Sequence, residues 1–375
     1  MRYINRIIEI VCTAFFGLFP IKKNRVLFMS YFGKHTNCNP YAIFSQMEKQ
    51  HEKYEFIWVD NSKKQKKSVK YKSILFYYYL RTSAFLIFNA RPGVDIKKRK
   101  GQNYIQTWHS SLGFKMIERD AEETLSRRYV KLAKQDSKYI DLLISGCRYR
   151  TECFRRNFWY DGEIAEIGTP RNDLFFSDYQ QKVIQLKEDL GIASEARLLT
   201  YAPTFRSDGS VDYASSLEMQ KLLETVEAKF GGNWRLVVRL HPNVASNCTL
   251  PQGVIDASKY SDMQTLLLAS DILITDYSSV MFDFELLKRP CFLYCPDFED
   301  YVKKERKTYF SLQELPFTLD TSNEALISSI LAYDEEEYLG RLRAFDERIG
   351  SFERGHACEK IIEWINNRFE KNEDN

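Results

Sequence analysis

The stretch ITDYSSVMFDFELLKRP, residues 274–290, decides how this chain is read. Ile272-Leu273-Ile274 closes an apolar run of strand type, and Met281 to Leu287 begins a helical one. Between them stand Thr275, Asp276, Tyr277, Ser278 and Ser279, five oxygen-bearing side chains at one strand-to-helix turn. A helix start offers unpaired amides and about half a positive charge, so hydroxyls beside it can cradle phosphate. The structural alternative is an ordinary N-cap from Ser278 or Ser279, with Asp276 organising the turn.

The same rhythm recurs outward from this turn. Strands are expected at 26–30, 56–60, 84–89, 104–107 and 142–145, then at 198–201, 236–239, 273–275 and 291–294. Their apolar runs lack polar alternation, as in parallel strands covered on both faces. Strand-helix repetition predicts an α/β fold of two Rossmann-like doubly wound domains facing a cleft. Gly168-Thr169-Pro170-Arg171-Asn172-Asp173 reads as the linker. The expected organisation is a first helix over 1–22, domains over 23–172 and 173–350, and a closing helix over 351–375.

At 375 residues the chain is long for one core. Its net charge of +3 provides no global basic field for nucleic acid. The eight cysteines include no CxxC pair, so metal-type spacing is absent, and no metal is expected. In MRYINRIIEIVCTAFFGLFPIKK, Arg2, Asn5, Arg6, Glu9 and Thr13 share one narrow helical face and the rest is apolar. This amphipathic helix could enter a core or lie in a membrane interface. The basic runs at 63–67 and 97–100 suit an anionic leaflet, so membrane association is the preferred reading. The longest uncharged run, 10–21, is too short to span a bilayer.

Three further strand ends carry candidate chemistry. Thr107-Trp108-His109 runs into small residues and Lys115, and a histidine near pKa 6.5 suits proton transfer at neutral pH. In Tyr201-Ala202-Pro203-Thr204-Phe205-Arg206, the proline forces an extended exit, and Arg206 can grip phosphate. In Arg239-Leu240-His241-Pro242, alternation puts Arg239 and His241 on one side of the strand end. Taken alone, His109 and Arg206 are better explained structurally and Arg239 and His241 equally well; together they favour a phosphate site.

These stretches, in this order, resemble the CDP-glycerol glycerophosphotransferase family. The carriers are TWHSSLGFK (107–115), GTPRND (168–173), YAPTFR (201–206), RLHP (239–242) and SDILITDYSSVMFDFELLKRP (270–290). The resemblance implies a GT-B-like domain pair, peripheral on the cytoplasmic membrane face. It implies that His109 is the base and that His241, Ser278 and Ser279 hold the donor pyrophosphate. Arg206, Arg239 and Thr275 join them as expected phosphate ligands, supported by Trp108, Lys115, Thr204 and Asp276. The expected donor is CDP-glycerol, the acceptor a lipid-linked glycan or teichoic acid, and no cofactor is required. Many members have His-Gly-Thr-Pro where this chain has His109-Ser110-Ser111-Leu112, which bears on the acceptor more than on the reaction. Ribitol-phosphate transfer, sugar transfer and a non-catalytic membrane scaffold are the alternatives. The chain reads as a bare catalytic unit, which points to priming or single addition over long-chain polymerisation. Nothing in the sequence indicates an oligomeric state.

Overall fold

The computed structural model describes residues 2–50, 52–204, 217–240, 250–299, 301 and 307–373. The chain divides into two compact units, one of residues 1–111, 117–176 and 351–375, the other of 112–116 and 177–350. The first contains a seven-stranded sheet in the order β3-β2-β1-β4-β5-β6-β7, the second a six-stranded sheet in the order β10-β9-β8-β11-β12-β13. All the strand pairs are parallel. The two-sheet α/β architecture expected from the strand-helix rhythm is therefore present.

In the first unit the strands are β1 (Lys22–Met29), β2 (Glu55–Val59), β3 (Ser68–Val69), β4 (Ser83–Phe88), β5 (Asn103–Gln106), β6 (Leu142–Ser145) and β7 (Ile164–Glu166). Alternate residues of each central strand feed opposite layers. Leu27, Met29, Leu86 and Phe88 join one core, while Val26, Phe28, Phe85 and Ile87 join the other. Covering both faces is what makes these strands apolar throughout. The second unit repeats the arrangement with β8 (Arg197–Ala202), β9 (Trp234–Val238), β10 (Ile255–Asp256), β11 (Ile272–Thr275), β12 (Cys291–Tyr294) and β13 (Thr318–Asp320). Leu199 and Tyr201 enter one layer and Leu198 the other.

Two boundaries differ from the sequence expectation. Residues 112–116 belong to the second unit, because Phe114 O accepts from Tyr309 N (2.8 Å) and Met116 N donates to Lys307 O (2.8 Å). Residues 351–375 belong to the first unit instead of standing apart. There the helix Ala357–Glu373 contributes Cys358, Ile361, Ile365 and Phe369 to the core beneath β1 and β4. Asp173 caps this helix, accepting from Ala357 N (3.1 Å) and Cys358 N (2.7 Å). Gly168, at φ +92°, lets the linker lie against Phe352 and Glu353, where a Cβ would meet the Phe352 carbonyl at 3.1 Å.

The first helix, Arg2–Phe16, is turned opposite to a soluble amphipathic helix. Thr13 is buried, Cys12 and Phe16 pack on the core, and Glu9 accepts from Asp95 N (3.3 Å). Ile7, Ile10, Val11 and Phe15 face outward, each more than half exposed. The neighbouring helix Ile74–Thr82 adds Ile74 and Leu75, also more than half exposed. No helix among the described residues is long and apolar enough to cross a membrane.

Candidate active site

In each sheet the strand order reverses at one place, and in such folds ligands bind beyond the carboxyl ends of the strands there. In the first unit the reversal falls between β1 and β4. Tyr31, just past β1, donates its N–H to Asn89 Oδ1, just past β4 (2.9 Å). The Asn89 carbonyl in turn meets His109 Nδ1 at 2.8 Å, beyond the end of β5. A carbonyl can only accept, so Nδ1 carries the proton and Nε2 keeps its lone pair.

Backbone and side chains together fix the imidazole. Trp108 takes a left-handed conformation (φ +50°), a strain that concentrates at functional sites. Its ring stacks on His109 (centroids 4.6 Å) and meets Phe158 edge-on (5.1 Å). Buried Asn39 donates to the carbonyls of Thr107 (3.2 Å) and Trp108 (3.0 Å) and accepts from Arg171 N (3.1 Å). Arg171 Nη1 donates to the His109 carbonyl (2.8 Å) and lies 3.4 Å from Cys38 Sγ. Arg150 Nη2 donates to Ser110 Oγ (3.3 Å). Burial lowers the His109 pKa to about 4, and the positive charges of Arg171 and Arg150 act the same way against the bond to Asn89. The ring is therefore neutral at pH 7 and able to accept a proton at Nε2.

The second unit reverses between β8 and β11. Here Asp276 Oδ1, past β11, accepts from Thr204 N, past β8 (2.8 Å). Asp276 is buried, and this bond makes it a brace across the reversal point. Ser278 and Ser279 follow, both half-buried. Ser279 makes no side-chain capping bond, and Ser278 Oγ is 3.4 Å from Val280 N. Ordinary capping thus leaves the Ser279 hydroxyl unused. The following helix, Val280–Phe284, is only five residues long before a tighter turn at Glu285–Leu287. Its macrodipole is correspondingly smaller than the sequence suggested.

Several expected ligands stand elsewhere. Thr275 is fully buried and its hydroxyl donates to Ala202 O (2.7 Å), so it locks β11 to β8 and does not reach a ligand. Arg239 directs Nε to Tyr260 O (3.3 Å) and Nη1 to Met263 Sδ (3.0 Å), contacts that support the loop ahead of the helix Met263–Ala269. Lys115 belongs to the second unit, with its ammonium over the Tyr301 ring (5.2 Å). Tyr277 stacks on Tyr301 and donates to Asp297 (3.1 Å). Arg206 and His241 lie outside the described residues.

The profile of the CDP-glycerol:poly(glycerophosphate) glycerophosphotransferase family matches residues 11–367. The chain belongs to this family. Among its relatives is the teichoic acid poly(glycerol phosphate) polymerase of Bacillus spizizenii, 32% identical over 97% of this chain and 98% of that one. The teichoic acid glycerol-phosphate transferase of Staphylococcus aureus is 29% identical over 92% of this transferase and 93% of its own length. The solved structure of the wall teichoic acid polymerase TagF superposes with a TM-score of 0.84 at 30% identity, covering 96% of this chain and 94% of that one. Family and fold agree with the α/β reading, and the transferase is an enzyme that moves glycerol phosphate from CDP-glycerol.

Sequence reasoning singled out His109 but not the residues packed around it. Asn39, Asn89, Arg150 and Arg171 come from four separate stretches of the chain, and only topology brings them together. Arg171 was visible within GTPRND, though as linker sequence and not as part of a site.

Proposed function

We propose that His109 is the general base of the transfer and that the turn at 276–279 holds the donor pyrophosphate. The observation that carries this reading is the neutral imidazole, fixed by the Asn89 carbonyl with Nε2 left to accept a proton. An acceptor hydroxyl gives its proton to Nε2, and its oxygen forms a bond to the phosphorus bearing glycerol. The bond from that phosphorus to the bridging oxygen breaks, and CMP leaves with the electron pair. Such transfers are driven chiefly by positioning and by fixed donors around the phosphates. Ser278, Ser279, Thr204, Arg206 and His241 fill that role in this proposal.

The enzyme docks on an anionic membrane surface through its first two outward-facing helices. Ile7, Ile10, Val11, Phe15, Ile74 and Leu75 enter the interface, where each apolar side chain buried contributes roughly 1.5–3 kcal/mol. Arg99 donates to Phe19 O (2.7 Å), bringing the basic 97–100 run to the end of the first helix, where it meets lipid headgroups. A lipid-linked acceptor is thereby reached from the cytoplasmic face. Length does not favour priming over polymerisation, because a protein named a polymerase has nearly the same extent.

The test is CMP release from CDP-glycerol with a lipid-linked acceptor, beside CDP-ribitol and UDP-sugars, with His109→Ala as the blank. Release specific to CDP-glycerol and lost in the variant is expected. Release from another donor would redirect the assignment, and near-normal turnover by His109→Ala would remove the base.

A further inference from the structure

Arg91 stands two residues beyond Asn89, whose carbonyl holds His109, and its guanidinium lies in a buried ionic cluster with no part in the steps above. Nη1 donates to Asp136 Oδ2 (2.9 Å) and Ser137 Oγ (2.8 Å), and Nη2 to Glu118 Oε2 (3.1 Å) and the Phe158 carbonyl (3.2 Å). Arg91, Glu118 and Asp136 are each no more than 5% exposed. Desolvation offsets most of the attraction in such a cluster, so stability alone does not account for it. Its neighbours lead to His109. The guanidinium lies over the Phe158 ring (4.0 Å), and that ring meets Trp108 edge-on.

A polar chain runs from the same cluster along one face of β5. The Trp108 N–H can only donate, so the Gln106 amide must present Oε1 to it (3.0 Å). Gln106 Nε2 then needs an acceptor and finds the Tyr104 hydroxyl (2.8 Å). That hydroxyl gives its own proton to Asp136 Oδ2 (3.4 Å). Each donor is thus fixed by the next acceptor, and the Asp136 carboxylate sets the sense of the whole chain. Tyr104 and Gln106 are fully buried, so a missing link is not made good by bulk water. At the far end, Trp108 is bulky and left-handed, a state that persists only where its surroundings over-determine it.

We propose that Tyr104 and Gln106, anchored on the Arg91–Asp136 pair, are positioning residues for His109: they hold the Trp108 peptide in its left-handed turn and so keep Nδ1 on the Asn89 carbonyl and Nε2 for the acceptor hydroxyl. The inference rests on the reading of His109 as the base. Without the chain, Trp108 relaxes toward extended backbone, and the imidazole stacked on its ring leaves the carbonyl with it.

Removing Arg91 would leave two carboxylates buried without their partner and put the fold at risk, so the chain is cut at its neutral links. Tyr104→Phe keeps the ring in the core and deletes the hydroxyl; Gln106→Met deletes the amide and decides where the first variant does not fold. The ring is read by its imidazole ¹⁵N signals, assigned among five histidines by their absence in His109→Asn. Wild type should show the neutral Nδ1–H form from pH 5 to pH 8. Both variants should add the Nε2–H form and raise the His109 titration from about 4 toward 6.5 by about one pH unit, as the ring meets water. The kcat of CMP release should fall about ten- to a hundredfold, with little change in the KM for CDP-glycerol. Tyr129→Phe deletes a hydroxyl bonded to Glu118, off the path to Trp108, and should keep the wild-type ring signals and kcat. A wild-type ring spectrum in either folded chain variant, or the same spectral change in Tyr129→Phe, would overturn the positioning role. Turnover retained by His109→Asn would instead remove the base, a result on which the ring spectrum does not depend.

Discussion

Replacing His109 with Asn separates the chemistry of the ring from its structural role. The Asn amide can still donate to the Asn89 carbonyl in place of Nδ1, whereas nothing replaces Nε2. In the unfolded wild-type chain this histidine takes a proton near pH 6.5; in the folded protein it resists protonation down to about 4. The sign follows directly. Between those values the unfolded state binds the extra proton, so wild-type stability is lost as pH falls below 6.5. At about 1.4 kcal/mol per pH unit, the loss from pH 8 to pH 5 is about 2 kcal/mol. His109→Asn lacks the titrating group and escapes that loss. Urea unfolding at pH 8 and pH 5 should therefore show the variant gaining about 2 kcal/mol on wild type as the solution is acidified. In parallel, CMP release should fall by roughly 10²- to 10⁴-fold, the usual range for losing a general base. A stability difference that stays flat with pH would show that the imidazole is not held neutral by burial. Retained turnover would show that it is not the base.

Three other outcomes follow from the geometry. Thr275→Val should cost about 1–3 kcal/mol in urea unfolding while leaving the KM for CDP-glycerol nearly unchanged, since the hydroxyl serves Ala202. Ser278→Ala combined with Ser279→Ala should show the converse pattern: a melting temperature close to wild type, because Ser279 makes no capping bond, with donor affinity in calorimetry down by roughly tenfold or more. Val11→Glu with Phe15→Glu should abolish sedimentation with anionic vesicles yet preserve the circular dichroism spectrum, because both side chains already face outward; loss of folding would mean that the helix is a core element.

The parts legible in the sequence were those governed by local chemistry. The central strands could be located because burial on both faces leaves an unbroken apolar run, as at Leu142–Ser145 and Cys291–Tyr294. The edge strands Ser68–Val69, Ile164–Glu166, Ile255–Asp256 and Thr318–Asp320 were not, because two or three half-covered residues give no pattern. His109 stood out by its residue type at a strand end. Thr275 was misjudged because a hydroxyl that braces two strands and one that holds a phosphate look the same in sequence. The helix after Ser279 looked longer than it is: MFDFELL has helical periodicity, but Lys288 turns left-handed (φ +55°) and the chain tightens into a 3₁₀ turn.

The return of residues 351–375 to the first unit also bears on how the enzyme is made. The layer beneath β1 and β4 lacks Cys358, Ile361, Ile365 and Phe369 until the last helix has been synthesised. A ribosome therefore releases a complete second unit before the first can close, although the first is encoded earlier. Until then the open layer is exposed hydrophobic surface of the kind that chaperones guard. A frameshift or stop codon near residue 350 would leave the second unit's sequence intact and strand the first unfinished.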